Sequence, residues 1–181
     1  MKRHRLKEGY VHLITGSGPG KTTSAIGLAI RALGNGLKVC IVQFTKSDQL
    51  GKKYGELNFL KGYKNIMIKQ FGTGFFLEKG KYSSKDRLIA EEGLKFTKKI
   101  LSSGKVDLLI LDEINIAIDF GLLKTEDILA LIKSKPRNVE LILTGRNAPK
   151  ELYKEADYAV FINSLWHPFD QGVKARKGIE Y

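Results

Sequence analysis

One cysteine in 181 residues leaves no partner for a disulfide and no thiol cluster for a structural metal. That residue, Cys40, sits in the apolar run KVCIVQF, where a buried and inert thiol is expected. With only 4 prolines the chain has no Pro-rich linker, and no low-complexity tract or internal repeat breaks it up. The composition is that of a packed protein, and the length suits one domain spanning residues 1–181. No apolar run approaches the length of a membrane span, and the basic opening MKRHRLKEG has no apolar stretch behind it. No membrane association is expected, and the cytoplasm is the expected compartment.

Acidic residues are the scarcer charge, 19 against 31 basic ones, for a net charge of +12. Such an excess concentrates any anion near the surface without choosing among nucleotides, nucleic acids and acidic proteins. The basic residues are spread along the chain, with small clusters at Lys2 to Lys7 and Lys174 to Lys177. No stripe of interleaved aromatic and basic residues accompanies them, so solvated faces are the better reading and nucleic acid is not the expected partner.

What recurs is a short apolar run rich in Val and Ile: YVHLIT, KVCIVQF, NIMIKQF, VDLLILDE, VELILT and YAVFIN. Runs apolar on both faces suit strands covered by helices on two sides, and their alternation with helical segments predicts an α/β fold with a doubly wound, mostly parallel sheet. The first clear helix follows Lys21 and stops at Gly34 and Gly36. The second follows Ser84, where Ser83 and Asp86 can form a capping box. The weakly patterned segments TKSDQLGKKYGE and GTGFFLEKGKYSS follow the second and third strands. Ligands of such sheets bind outside the carboxyl ends of the strands, so both segments are expected walls of a site.

TGSGPGKTT lies between the first strand and the first helix, the context that turns a glycine pattern into a phosphate loop. Gly16, Gly18 and Gly20 allow the backbone to curl with successive N–H groups pointing inward at the helix N-terminus. Lys21 adds a full charge, and the Thr22 hydroxyl can join the coordination of Mg²⁺ or Mn²⁺. The loop departs from the ordinary Walker pattern, whose first glycine falls at Thr15. LLILDEIN predicts a buried strand that delivers Asp112 and Glu113 at its carboxyl end, close to where the phosphate loop leaves an adjacent strand. Carboxylates there can hold metal or orient a water. On the residues alone this is a P-loop nucleotide enzyme of the RecA-like kind. A hydrolase making ADP and phosphate, with or without nucleic acid, stays open.

Taken together, TGSGPGKTTSAIGLAIRALGNGLKV, VQF, GTGF, LDEIN, LTGRNAPKELYKEADY and HPFDQGVKARKGIEY resemble the P-loop corrinoid adenosyltransferases, which act on cob(I)alamin or cob(I)yrinic acid a,c-diamide. The resemblance runs from the phosphate loop to the last residues. It implies attack by Co(I) of a corrinoid on the 5′ carbon of ATP, with release of triphosphate, and a nucleotide that lies reversed relative to ordinary P-loop enzymes. It also implies that Gly16, Ser17, Gly18, Pro19, Gly20, Lys21, Thr22 and Thr23 bind the triphosphate. Metal then falls to Thr22 with Glu113 as the closer acid and Asp112 as its companion. Arg146 of TGRNAP would touch nucleotide or order the site through a salt bridge. Phe75 matches an aromatic residue near the corrinoid that helps displace the lower ligand of cobalt. Ser17 stands where the family usually has Asn, Pro19 where it has Lys, and Leu77 where it has Trp. A reduced flavodoxin or flavin as electron donor and a homodimer complete what the resemblance implies.

Overall fold

The computed structural model describes residues 5–47, 54–74 and 79–180. Phe75 and Leu77 lie outside the described residues. Strands form at all the apolar runs: β1 (Val11–Thr15), β2 (Val39–Phe44), β3 (Ile66–Phe71), β4 (Leu108–Asp112), β5 (Glu140–Thr144) and β6 (Tyr158–Phe161). They build one sheet in the order β3-β2-β4-β5-β1-β6, parallel at every pairing. Between them run helices α1 (Lys21–Gly34), α2 (Gly55–Leu60), α3 (Ser84–Ser102), α4 (Ile114–Asp119), α5 (Thr125–Lys133) and α6 (Lys150–Glu155).

Side chains along a strand point alternately to opposite faces, so the buried strands feed two cores. Val39, Ile41, Leu108, Ile110 and Ile142 pack with Ala25, Ile26, Ala29 and Ala32 of α1. Cys40, Val42, Phe44, Leu109, Leu111, Leu141 and Leu143 face the other way, onto α3, α4 and α5. With helices on both faces, every residue of β2 and of β4 is buried. Burial pushes the Cys40 thiol up to about 12, so it carries no thiolate at neutral pH. Gly93 lets α3 close on the sheet, because a Cβ there would meet Phe44 and Phe71 at 2.9 Å.

The predicted helix signals are in place. At the end of α1, Leu37 N–H donates to Ala32 O and Gly36 N–H to Leu33 O, with Gly36 at φ 76°, the Schellman arrangement. Ser83 and Asp86 form the capping box of α3. Two expectations need correction. YAVFIN does not make a strand covered on both faces: β6 is an edge strand, exposed at all four positions. The LLILDE strand is not adjacent to the phosphate-loop strand either, because β5 pairs with both β1 and β4 and separates them. Strands two places apart stand roughly 10 Å from each other. Side chains must bridge that gap.

Candidate active site

The site gathers at the carboxyl ends of β1, β2, β4 and β5, around Asp112. This carboxylate is the last residue of β4 and is 1% exposed. Its Oδ1 accepts from Thr22 Oγ1 at 2.8 Å and from Thr144 Oγ1 at 2.7 Å. Its Oδ2 accepts from Gln43 Nε2 and from Lys46 Nζ, both at 2.8 Å. Thr144, at the end of β5, therefore fills the space between β4 and the start of α1, and its hydroxyl also accepts from Glu113 N–H. Gln43 lies opposite both Asp112 and Gln70 in the strand register, and Gln70 Nε2 donates to Gln43 Oε1 at 2.9 Å. A polar row thus crosses three strands. Burial alone would raise the Asp112 pKa, but Lys46 and the donated hydrogen bonds outweigh it and hold the carboxyl below its ordinary value.

Glu113 follows in the left-handed region, at φ 61°, a costly conformation for a side-chain-bearing residue. The turn breaks the strand after Asp112 and brings the Glu113 side chain to the wall of a cavity of about 760 Å³. Burial raises the Glu113 pKa, only partly countered by Lys46. Lys46 Nζ lies 3.8 Å from Glu113 Oε1. Burial by itself would lower the Lys46 pKa; Asp112 and Glu113 overturn that and raise it.

The phosphate loop forms one wall of the cavity through Gly18, Pro19, Gly20, Lys21, Thr22 and Thr23. Gly20 caps α1 at φ 106° and no side chain caps the helix, so its first amides are free of a side-chain acceptor. Lys21 Nζ donates to Gly18 O at 2.6 Å. Burial and the nearby Arg146 lower its pKa. Not all of the loop faces inward as expected. The Gly18 N–H donates to Ile162 O at 2.9 Å, and a Cβ on Gly16 would come within 2.2 Å of that same carbonyl oxygen. Ser17 Oγ donates to Asn163 Oδ1 at 3.1 Å. Gly16 and Ser17 thus dock the loop on the chain leaving β6, and neither lines the cavity. Thr15, at the Walker pattern's first glycine, is buried, and its hydroxyl accepts from Ala148 N–H.

Arg146 also lines the cavity, near enough to Lys21 to lower its pKa. It is held in place by its motif. Asn115 of LDEIN donates from Nδ2 to Gly145 O at 3.1 Å, so the two motifs are one structural unit. Lys46, Tyr54, Glu56, Trp166, His167 and Ile179 also line the cavity. The described residues Lys46, Tyr54, Gly55 and Glu56 of TKSDQLGKKYGE therefore form part of the wall, as the segment's position after β2 implies. His167 Nδ1 accepts from Phe169 N–H, a hydrogen-bonding role inside its own turn. Gln43, Gln70, Thr144 and Lys46 were not legible as site residues. Gln43, Lys46 and Thr144 lie inside the segments VQF, TKSDQLGKKYGE and LTGRNAPKELYKEADY without standing out there, and β2 and β3 both end in Gln-Phe, a repetition that register turns into contact.

The donor set suits a hard divalent cation, since a hydroxyl and two carboxylates meet where an ammonium is already accommodated. Among the described residues no group of three or more His, Cys, Asp and Glu gathers. A cation here would complete its shell from phosphate oxygens and water.

A glycine-lined loop between β1 and α1, a Lys-Thr pair at the helix start and an aspartate ending β4 define a P-loop nucleotide-binding protein. Residues 7–181 match the model of the ATP:corrinoid adenosyltransferase BtuR/CobO/CobP family, and the chain belongs to that family. It is 34% identical over 178 residues to a corrinoid adenosyltransferase of Pseudomonas aeruginosa, covering 98% of this chain and 86% of that protein. It is 32% identical over 175 residues to the corrinoid adenosyltransferase of Escherichia coli K12, covering 97% and 87%. The fold is also that of a KaiC-like protein of Pyrococcus horikoshii, with a TM-score of 0.58 at 18% identity over 87% of this chain and 73% of that one. None of the helices among the described residues is long and apolar enough to cross a membrane.

Proposed function

We propose that this chain transfers the 5′-deoxyadenosyl group of ATP to the Co(I) centre of a corrinoid. The cobalt electron pair forms the cobalt–carbon bond, the C5′–O bond breaks, and its electrons leave with the triphosphate. The observation that carries this reading is the convergence of Lys21, Lys46 and Arg146 on one cavity at the uncapped start of α1. Co(I) is a strong nucleophile and needs no general base. The protein's task is to align the reactants and to stabilise charge on the departing triphosphate. Gly18, Pro19, Gly20 and Thr23 shape the cradle, Lys21 and Arg146 supply charge, and Thr22 with Glu113 and Asp112 would hold Mg²⁺. When bound, the metal neutralises part of the triphosphate charge.

Phe75 is proposed to act at the corrinoid, helping to remove the lower cobalt ligand before reduction. A reduced flavodoxin or flavin fits the basic surface as electron donor. A homodimer in the cytoplasm is the proposed working state.

The experiment is to replace ATP by its β,γ-methylene analogue, with Mg²⁺ and chemically reduced cobalamin under anoxic conditions. The β–γ link is never cleaved in adenosyl transfer, so an adenosylcorrinoid is expected to form. An enzyme that converts ATP to ADP yet leaves the analogue untouched would refute the proposal.

A further inference from the structure

Lys46 stands two residues after the end of β2, and its side chain reaches Asp112 at the end of β4. Thr45 before it sits in the left-handed region at φ 62°, which turns the chain off the strand and sends the Lys46 side chain towards β4. Its Nζ lies 2.8 Å from Asp112 Oδ2, 3.3 Å from Thr22 Oγ1 and 3.8 Å from Glu113 Oε1. These are the three groups that would hold a divalent cation. Two cations cannot share so small a space, because their repulsion is strongest where water is excluded.

We infer that the Lys46 ammonium and the divalent cation compete for one position, so that Lys46 acts as a built-in placeholder that the metal must displace. The inference rests on the reading above that this site takes a metal-bound triphosphate, and it adds how the metal enters. Without the lysine, the buried Asp112 carboxylate would lose its cation beside a half-buried Glu113, and an uncompensated buried ion costs several kcal/mol. With it, the Asp112 charge is balanced before any ligand arrives. The side chain is 16% exposed and borders the same cavity as the phosphate loop, so a displaced ammonium stays among the phosphates. The Tyr54 ring already stands beside the ammonium, its centroid 5.3 Å from Nζ, and cation–π attraction favours keeping the charge there once Asp112 is taken by metal. Lys46 thereby returns a positive charge to a loop that carries Pro19 where its family usually has lysine. Metal alone gains little by entering; metal with triphosphate gives the ammonium somewhere to go.

The test is a Mn²⁺ binding isotherm followed by electron paramagnetic resonance, with neither nucleotide nor corrinoid present. Wild type and Lys46→Arg are expected to bind Mn²⁺ weakly. Lys46→Met is expected to bind it more tightly by roughly tenfold or more, the scale of one hydrogen bond to a charged group. Melting in parallel should find Lys46→Met less stable than wild type in chelator and restored by Mn²⁺, with wild type indifferent to the metal. Folded Lys46→Met with no gain in Mn²⁺ affinity would overturn the inference. So would wild type that binds Mn²⁺ tightly on its own, a reading that needs no variant to fold. Because the isotherm contains neither substrate, it fails or succeeds independently of the methylene-analogue experiment.

Discussion

Lys21→Ala is expected to reduce adenosyl transfer by a factor on the order of 100 to 1,000, the cost of removing one preorganised group that stabilises transition-state charge. The side chain is 8% exposed and its ammonium is tethered to Gly18 O, so it meets the triphosphate already positioned. Burial and Arg146 hold its pKa down. Negative phosphate oxygens therefore improve the lysine's surroundings as charge builds on the leaving group. The fold should survive, because Lys21 opens α1 and alanine suits that helix. Single-turnover rates with prepared Co(I) corrinoid, together with an unchanged melting temperature, check both halves. A loss below about tenfold would remove Lys21 from the reaction.

Asp112→Asn is expected to act on stability first. The carboxylate accepts from Thr22, Thr144, Gln43 and Lys46, and an amide can neither neutralise Lys46 nor accept at all four places. Breaking one partner of a buried ion pair costs about 3 to 5 kcal/mol, or roughly 6 to 20 °C in melting temperature for a chain of this size. The sign with pH follows from the lowered Asp112 pKa. Its stabilisation is complete above the ordinary aspartate range and is lost as pH falls through the folded-state value. The gap between wild type and variant should therefore be full at pH 7 and close only in acid. Adding Lys46→Met to Asp112→Asn should cost less than the sum of the two, since it removes the stranded ammonium. Strict additivity would argue against the pairing described here.

Much of this architecture is legible in the sequence because it is local. Short apolar runs rich in Val and Ile give the strands, Gly36 and the Ser83–Asp86 pair give helix ends, and glycines between a strand and a helix give the phosphate loop. What escapes is set by register and strand order. Nothing near Asp112 in sequence reveals that β5 intervenes before β1, or that Thr144 fills the resulting gap. Gln43 and Gln70 become a row only when β2 and β3 align. The six-residue helices α2, α4 and α6 are too short for a helical period to stand out. That Gly16 and Ser17 also pack against the chain after β6 is not legible from the loop motif.

In the proposed reaction ATP is held by a tail that departs whole while the sugar carbon changes partner. Phosphorus magnetic resonance of an anoxic reaction with ATP, Mg²⁺ and reduced cobalamin tests it most directly. Inorganic triphosphate is expected in a one-to-one ratio with a light-sensitive adenosylcorrinoid. Orthophosphate and ADP accumulating with no adenosylated product would contradict it.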